Sequence, residues 1–196
     1  MKQLALVFFL LVNATAFAQS TVFKDGLLVN TETNQPYTGN IVMINNNGNG
    51  VAAFSKDFVN GLLHGQEKSF YPSGRLKSVG LYKNGLLDGT TKAYYTNGVL
   101  MASIQAKLGK KEGRAQYYFA NGRVQIERFY QNNTIHGQER TWFGNGNVMS
   151  SKHFQNGVPV GQVLTYYDNG RLFERIRIRN GMPLYKQYFK IDGTRY

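Results

Sequence analysis

Glycine recurs through this chain at a fixed interval of 24 residues. Gly65, Gly89, Gly113, Gly137 and Gly161 form one series, and Gly74, Gly98, Gly122, Gly146 and Gly170 a second. A third runs Gly61, Gly85, Gly109, Asn133, Gly157 and Gly181. A period of this length marks a repeat architecture in which each unit is one supersecondary element. Turn signals follow each other at alternating intervals of 11 and 13 residues. That spacing leaves room for strands of about nine and eleven residues at most and none for helices. The pattern predicts an all-β fold: an elongated antiparallel meander of stacked 24-residue hairpins, a twisted single sheet or one that is partly coiled.

The turns carry the strongest local signal. Asn97-Gly98, Asn121-Gly122, Asn145-Gly146 and Asn169-Gly170 mark one set, with Ser73-Gly74 in the same place. Asn60-Gly61, Asn84-Gly85, Asn156-Gly157 and Asn180-Gly181 mark the other. Asn-Gly favours a two-residue type I′ hairpin turn because both central residues need positive φ. Asn133 fits where glycine is expected, since Asn is the next best residue there. Read as two-residue loops, the first set places Tyr71 opposite Leu76, Phe119 opposite Val124, Phe143 opposite Val148 and Tyr167 opposite Leu172. The repeat glycines then face Tyr82, Ala106, Tyr130, Phe154 and Ile178, large side chains for the most part, which can cover a cross-strand glycine. These columns share one face, which the pattern predicts to be the core.

Neighbouring strand residues point to opposite faces, so the other face carries Phe70, Tyr94, Tyr118, Trp142 and Tyr166, one ring per regular repeat. Lys68, Lys92, Arg140, Arg75, Arg123 and Arg171 surround them. Two readings of this face stand open: it is covered by curvature of the sheet, or it is a binding face on which rings stack and cations pair with anionic groups.

Residues 1–18 have the three parts of a secretory signal peptide. Lys2 supplies the charge, Leu4 to Val12 the apolar run and Ala16-Phe17-Ala18 the cleavage site. The expectation is export to the periplasm or the extracellular space. There is no cysteine for a disulfide or a lipid anchor. Residues 19–38 read as an N-terminal cap with a short strand at Leu27 to Asn30 between turns, and 39–196 as one repeat domain. Its repeats begin near 39, 65, 89, 113, 137 and 161, with a partial one at 185. Asn45 to Gly50 forms the longer turn of the first, imperfect repeat.

The net charge is +12, and from Leu62 onward twenty basic residues stand against eight acidic ones. Such an array favours anionic partners: an acidic protein face foremost, or anionic lipid or acidic glycan. An export signal argues against nucleic acid. No stretch is long and apolar enough for an integral membrane helix. Charged residues on both strand faces, such as Arg128, Lys152, Arg175 and Arg177, argue against a membrane barrel.

No catalytic or metal site is expected, and no cofactor. His64 and His136 hold the same repeat position three periods apart, about six strands, too far to share a metal. The chain has no nucleophile elbow, no H-E-x-x-H and no P-loop.

The spacing G-x-x-x-x-[FYW]-[FY]-x-N-G-x-[LV], followed by a second N-G eleven residues on, resembles MORN repeats, and more closely their bacterial variants. The resemblance covers Gly39 to Tyr196 and departs from the pattern at Ala106, Asn133 and Tyr185. It implies stacked β-hairpins without catalytic residues and a role in protein contact, scaffolding or association with acidic phospholipid. The expected function is a non-enzymatic exported binding or scaffold module. Some bacterial variants are labelled antitoxins, which implies an alternative: an antitoxin or immunity protein that neutralises a partner toxin by direct binding.

Overall fold

The computed structural model describes residues 20–44, 50, 52–179 and 181–196. The signal segment 1–18, most of the Asn45 to Gly50 turn and Asn180 lie outside the described residues. The strands are β1 (Thr21–Lys24), β2 (Leu27–Asn30), β3 (Gly39–Ile44), β4 (Ala52–Val59), β5 (Leu62–Phe70), β6 (Leu76–Lys83), β7 (Leu86–Leu87) and β8 (Gly89–Tyr94). They continue with β9 (Leu100–Lys107), β10 (Lys110–Tyr118), β11 (Val124–Gln131), β12 (Thr134–Trp142), β13 (Val148–Gln155), β14 (Val158–Tyr166), β15 (Leu172–Arg179) and β16 (Met182–Tyr188). No helix occurs among the described residues. β1 pairs with β2, and the other fourteen strands form an open antiparallel sheet in chain order, except that β7 and β8 both pair with β6. The chain divides into two compact units, one ending at Gly98 and the other beginning at Val99.

The first unit, β1 to β8, holds the deepest core. β1 and β2 form a hairpin across Asp25 and Gly26, both at positive φ. β1 is a strand that the sequence reading of the cap did not separate from its turn. The Leu28 amide donates to the Gly61 carbonyl at 2.8 Å, and the Gly61 amide to Tyr37 at 2.7 Å, so the cap locks onto the first regular turn. Leu28, Tyr37, Ile41 and Phe58 are buried together, with Phe54 and Leu63 packed on them. Tyr37 and Phe23 both meet the Phe58 ring edge-on, at 6.5 and 6.4 Å.

The two sets of turns differ in kind. At Asn60-Gly61, Asn84-Gly85, Asn132-Asn133 and Asn156-Gly157 both central residues have positive φ, and the flanking residues pair directly, as in Val59 with Leu62 and Gln155 with Val158. These are the predicted type I′ turns, and Asn133 takes the glycine's part at φ 68°.

The other set is not two residues long, which corrects the expectation. The Gly74 amide donates to the Tyr71 carbonyl and the Tyr71 amide to Arg75, both at 2.8 Å. The loop therefore has three residues, with only the glycine at positive φ, a type I turn closed by a glycine bulge. Phe119, Phe143 and Tyr167 close their turns in the same way. The asparagine serves here through its side chain: Oδ1 of Asn121, Asn145 and Asn169 accepts the amide of Arg123, Asn147 and Arg171 at 2.9–3.0 Å. That is the Asx-turn role, and it does not require positive φ.

The extra residue shifts the register beside the turn. Phe70, Tyr118, Trp142 and Tyr166, rather than their neighbours, face Leu76, Val124, Val148 and Leu172. A bulge restores the predicted register beyond, where Gly65 meets Tyr82, Gly113 Tyr130, Gly137 Phe154 and Gly161 Ile178. The predicted core face is not set apart by burial. Tyr71, Tyr95, Phe119, Phe143 and Tyr167 are half-buried, and so are Phe70, Tyr94, Tyr118, Trp142 and Tyr166.

In the second unit, β9 to β16, Leu108 occupies the first position of a type I′ turn at φ 49°, and its side chain is 62% exposed. Left-handed backbone costs a non-glycine residue about 1–2 kcal/mol, least for Asn. Leu108→Asn gives up little packing and should stabilise the protein by about 1 kcal/mol, read as a higher denaturant midpoint at unchanged slope.

Candidate binding face

The aromatic residues singled out by the sequence lie next to the three-residue turns, on the strand face that also carries Lys68, Lys92 and Arg140. In the first unit, Ser55, Lys68, Val79 and Lys92 form one cross-strand row. Lys68 and Lys92 thus flank Val79, and neither has a carboxylate within 4.0 Å among the described residues. In the second unit the corresponding row reads Ser103, Gln116, Glu127, Arg140, Ser151, Leu164 and Arg175. Glu127 is held by Arg114, with Nε at 2.7 Å, and by the Gln116 amide at 2.9 Å. Tyr118 donates its hydroxyl to Gln116 Oε1 at 2.9 Å.

Arg140 keeps its charge available. With the Gln138 amide oriented to satisfy both its ends, its oxygen accepts from Arg140 Nε and Nη2, each at 3.2 Å. A groove of about 580 Å³ opens beside Arg140, lined by Val148, Ser151, Leu164 and Tyr166.

Arg75, Arg123 and Arg171 are exposed but already have a structural task. Their Nη1 atoms donate to the carbonyls of Thr96, Gly144 and Ile191, each in the next three-residue turn, at 2.7–3.0 Å. Asn147 does the same at its repeat position, donating to the Asp168 carbonyl at 2.7 Å. Tyr71 and Tyr167 add bonds of the same reach, from their hydroxyls to the carbonyls of Tyr94 and Phe189 at 2.6 and 3.0 Å. The period of 24 makes these staples legible afterwards: a long donor just past the turn glycine lies level with the next turn's carbonyl.

On the opposite face two acids are paired with cations. Glu139 is buried between Arg128, whose Nε lies 3.1 Å away without its N–H well aligned, and Lys152 at 3.8 Å. Glu67 pairs with Lys56 at 2.7 Å. Sequence inspection did not single out this ladder, because the cross-strand row that assembles it depends on the bulges.

His153 lies within β13, and His64 and His136, in β5 and β12, each reach the asparagine of a two-residue turn. His64 Nδ1 is 3.3 Å from Asn84 Oδ1, and His136 Nδ1 accepts the Asn156 amide at 3.4 Å. Among the described residues no group of three His, Asp or Glu could hold a metal, and no helix is long and apolar enough to cross a membrane.

Fold and site together define a β-hairpin repeat module. The MORN repeat variant matches residues 63–84, 87–107, 111–132 and 135–156, so the chain carries four repeats of that family. Each matched segment holds one three-residue turn and the two strands it joins. No curated protein matches the chain.

Glu67 and Tyr82 give the charged face a measurable signature. Burial raises the Glu67 carboxyl, but hydrogen bonds from Lys56 and Tyr82 and the Lys56 charge together hold it below the ordinary carboxylate range. Burial and the hydrogen bond to Glu67 push the Tyr82 phenol up to about 12. The unfolded chain then releases this proton first, from about pH 10. The stabilisation from Tyr82 is complete below that pH and is lost as pH rises through about 12. Tyr82→Phe should lose less stability than the parent between pH 10 and 12 in denaturant titrations. Identical alkaline profiles would show that the phenol is not coupled to folding.

Proposed function

We propose that this MORN-variant protein is a non-enzymatic, exported binding or scaffold module that engages an anionic partner through the face carrying Phe70, Tyr94, Tyr118, Trp142 and Tyr166. The partner is an acidic protein face or, sharing the same chemistry, anionic lipid or acidic glycan. One observation carries the reading. On this face Lys68, Lys92 and Arg140 have no carboxylate within 4.0 Å among the described residues, whereas Lys56, Arg128 and Lys152 on the opposite face are paired with acids. Unpaired cations beside half-buried rings are what an anionic ligand with apolar surface recognises. The signal-peptide features of residues 1–18 support export, and the repeat-only match to the MORN variant supports a binding role over catalysis.

Each repeat supplies a similar weak contact, so a large partner gains affinity from the number of repeats it engages. Exposed charge contacts are screened over about 8–10 Å at physiological salt. Retention on anionic vesicles, acidic polysaccharide or an acidic envelope protein should therefore fall steeply as salt rises. Trp142→Ala should weaken it several-fold at an unchanged circular-dichroism spectrum. Salt-insensitive retention that ignores this substitution would overturn the reading.

A further inference from the structure

The groove beside Arg140 is built by one row of side chains across β12, β13 and β14. Arg140 faces Ser151, and Ser151 faces Leu164. Directly paired residues on one face lie about 5 Å apart, so the short Ser151 side chain leaves a trough between two long ones. Val148 and Tyr166 close it towards the turns. The positions one period to either side of Ser151 are Glu127 and Arg175, too large for such a floor. Ser103 is as small, but its neighbour Gln116 is tied to Glu127 and Tyr118. Within the second unit the trough belongs to this repeat.

Its walls describe a ligand. Gln138 holds the Nε/Nη2 side of the Arg140 guanidinium, which leaves the Nη1/Nη2 end for a bidentate anion. The cross-strand neighbour Glu127 is engaged by Arg114 and Gln116. Leu164 and Tyr166 offer apolar surface, and Ser151 offers a hydroxyl that donates and accepts. At about 580 Å³ the groove has the size of a small-molecule site. β12, β13 and β14 each have a strand on both sides, so no free main-chain edge is present to receive a peptide as an added strand. A peptide backbone laid here would leave its amides and carbonyls poorly satisfied. A sugar ring suits the groove better, with its hydroxyls at the rim and C–H groups on its faces.

We propose that this groove binds a uronate sugar, a pyranose ring bearing a carboxylate. The carboxylate sits on the Nη1/Nη2 end of Arg140, the C–H face lies against Leu164 and Tyr166, and a ring hydroxyl bonds Ser151. The assignment rests on the reading of this face as an anion-binding surface and names the ligand class for one place on it.

Calorimetric titration of the full chain with trigalacturonate, and with its methyl ester as a neutral control of the same ring, tests the assignment. The acid should bind at least tenfold more tightly than the ester. Arg140→Gln should weaken binding at least tenfold, and Ser151→Leu, which fills the floor, should abolish it at an unchanged melting curve. Lys24→Gln, an exposed cation of the β1–β2 hairpin, should leave the affinity unchanged. Equal binding of acid and ester, or parental affinity in Arg140→Gln, would overturn the proposal. So would trigalacturonate failing to bind while anionic vesicles are retained in a salt-dependent manner, although the anion-binding face would then survive. Failure of both probes would remove the face reading as well.

Discussion

Positive φ at one or two residues per turn is the constraint on which the rest of this protein depends. Two turn types alternate along the chain, one with two left-handed residues and one with a single left-handed glycine after a type I turn. The first matches strand twist directly, and the second adds a bulge. Together they return the chain to the same orientation every 24 residues, so each side-chain position recurs at the same place on the sheet. Staples, rows and rings are consequences of that periodicity.

Few large apolar side chains are fully buried among the described residues. Both aromatic columns remain half-buried, and in the second unit the fully buried side chains are small or few, such as Ala102, Ala115 and Val163. Side-chain bonds to main-chain carbonyls compensate in part. Arg123, Asn147 and Arg171 tie their turns to the next, and such bonds contribute about 1.5–3 kcal/mol each from a charged donor and about 0.5–1.5 from a neutral amide, less where exposed. In the first unit the cap hairpin supplies a true apolar cluster around Phe58. Stability therefore comes from apolar burial at that end and from repeated polar contacts in the second unit.

The charges divide by face. On the face of Glu67 and Glu139, acids lie between cations in cross-strand rows. On the other, the acid Glu127 is satisfied within its own neighbourhood, while Lys68, Lys92 and Arg140 keep theirs uncompensated. One face sets Glu67 and Glu139 beside cations, and on the other Lys68, Lys92 and Arg140 have no carboxylate within 4.0 Å among the described residues.

The sequence by itself determined the period, the all-β class, the positions of both turn sets and the pairing of the repeat glycines with Tyr82, Tyr130, Phe154 and Ile178. These follow from local backbone preference and from counting, which need no tertiary information. It could not determine the length of the second turn type, because Asn-Gly suits a type I′ turn and an Asx-supported type I turn equally well. That single residue moved Leu76, Val124, Val148 and Leu172 opposite the other aromatic column. The groove was equally hidden. It needs Arg140, Ser151 and Leu164 side by side, and residues 11 and 13 apart become neighbours only through the ladder. Arg75, Arg123 and Arg171 looked like ligands for a partner because their charge is visible in the sequence. The carbonyls of Thr96, Gly144 and Ile191 that receive them are main-chain atoms, which residue identity does not reveal, and only the tertiary structure brought them within reach.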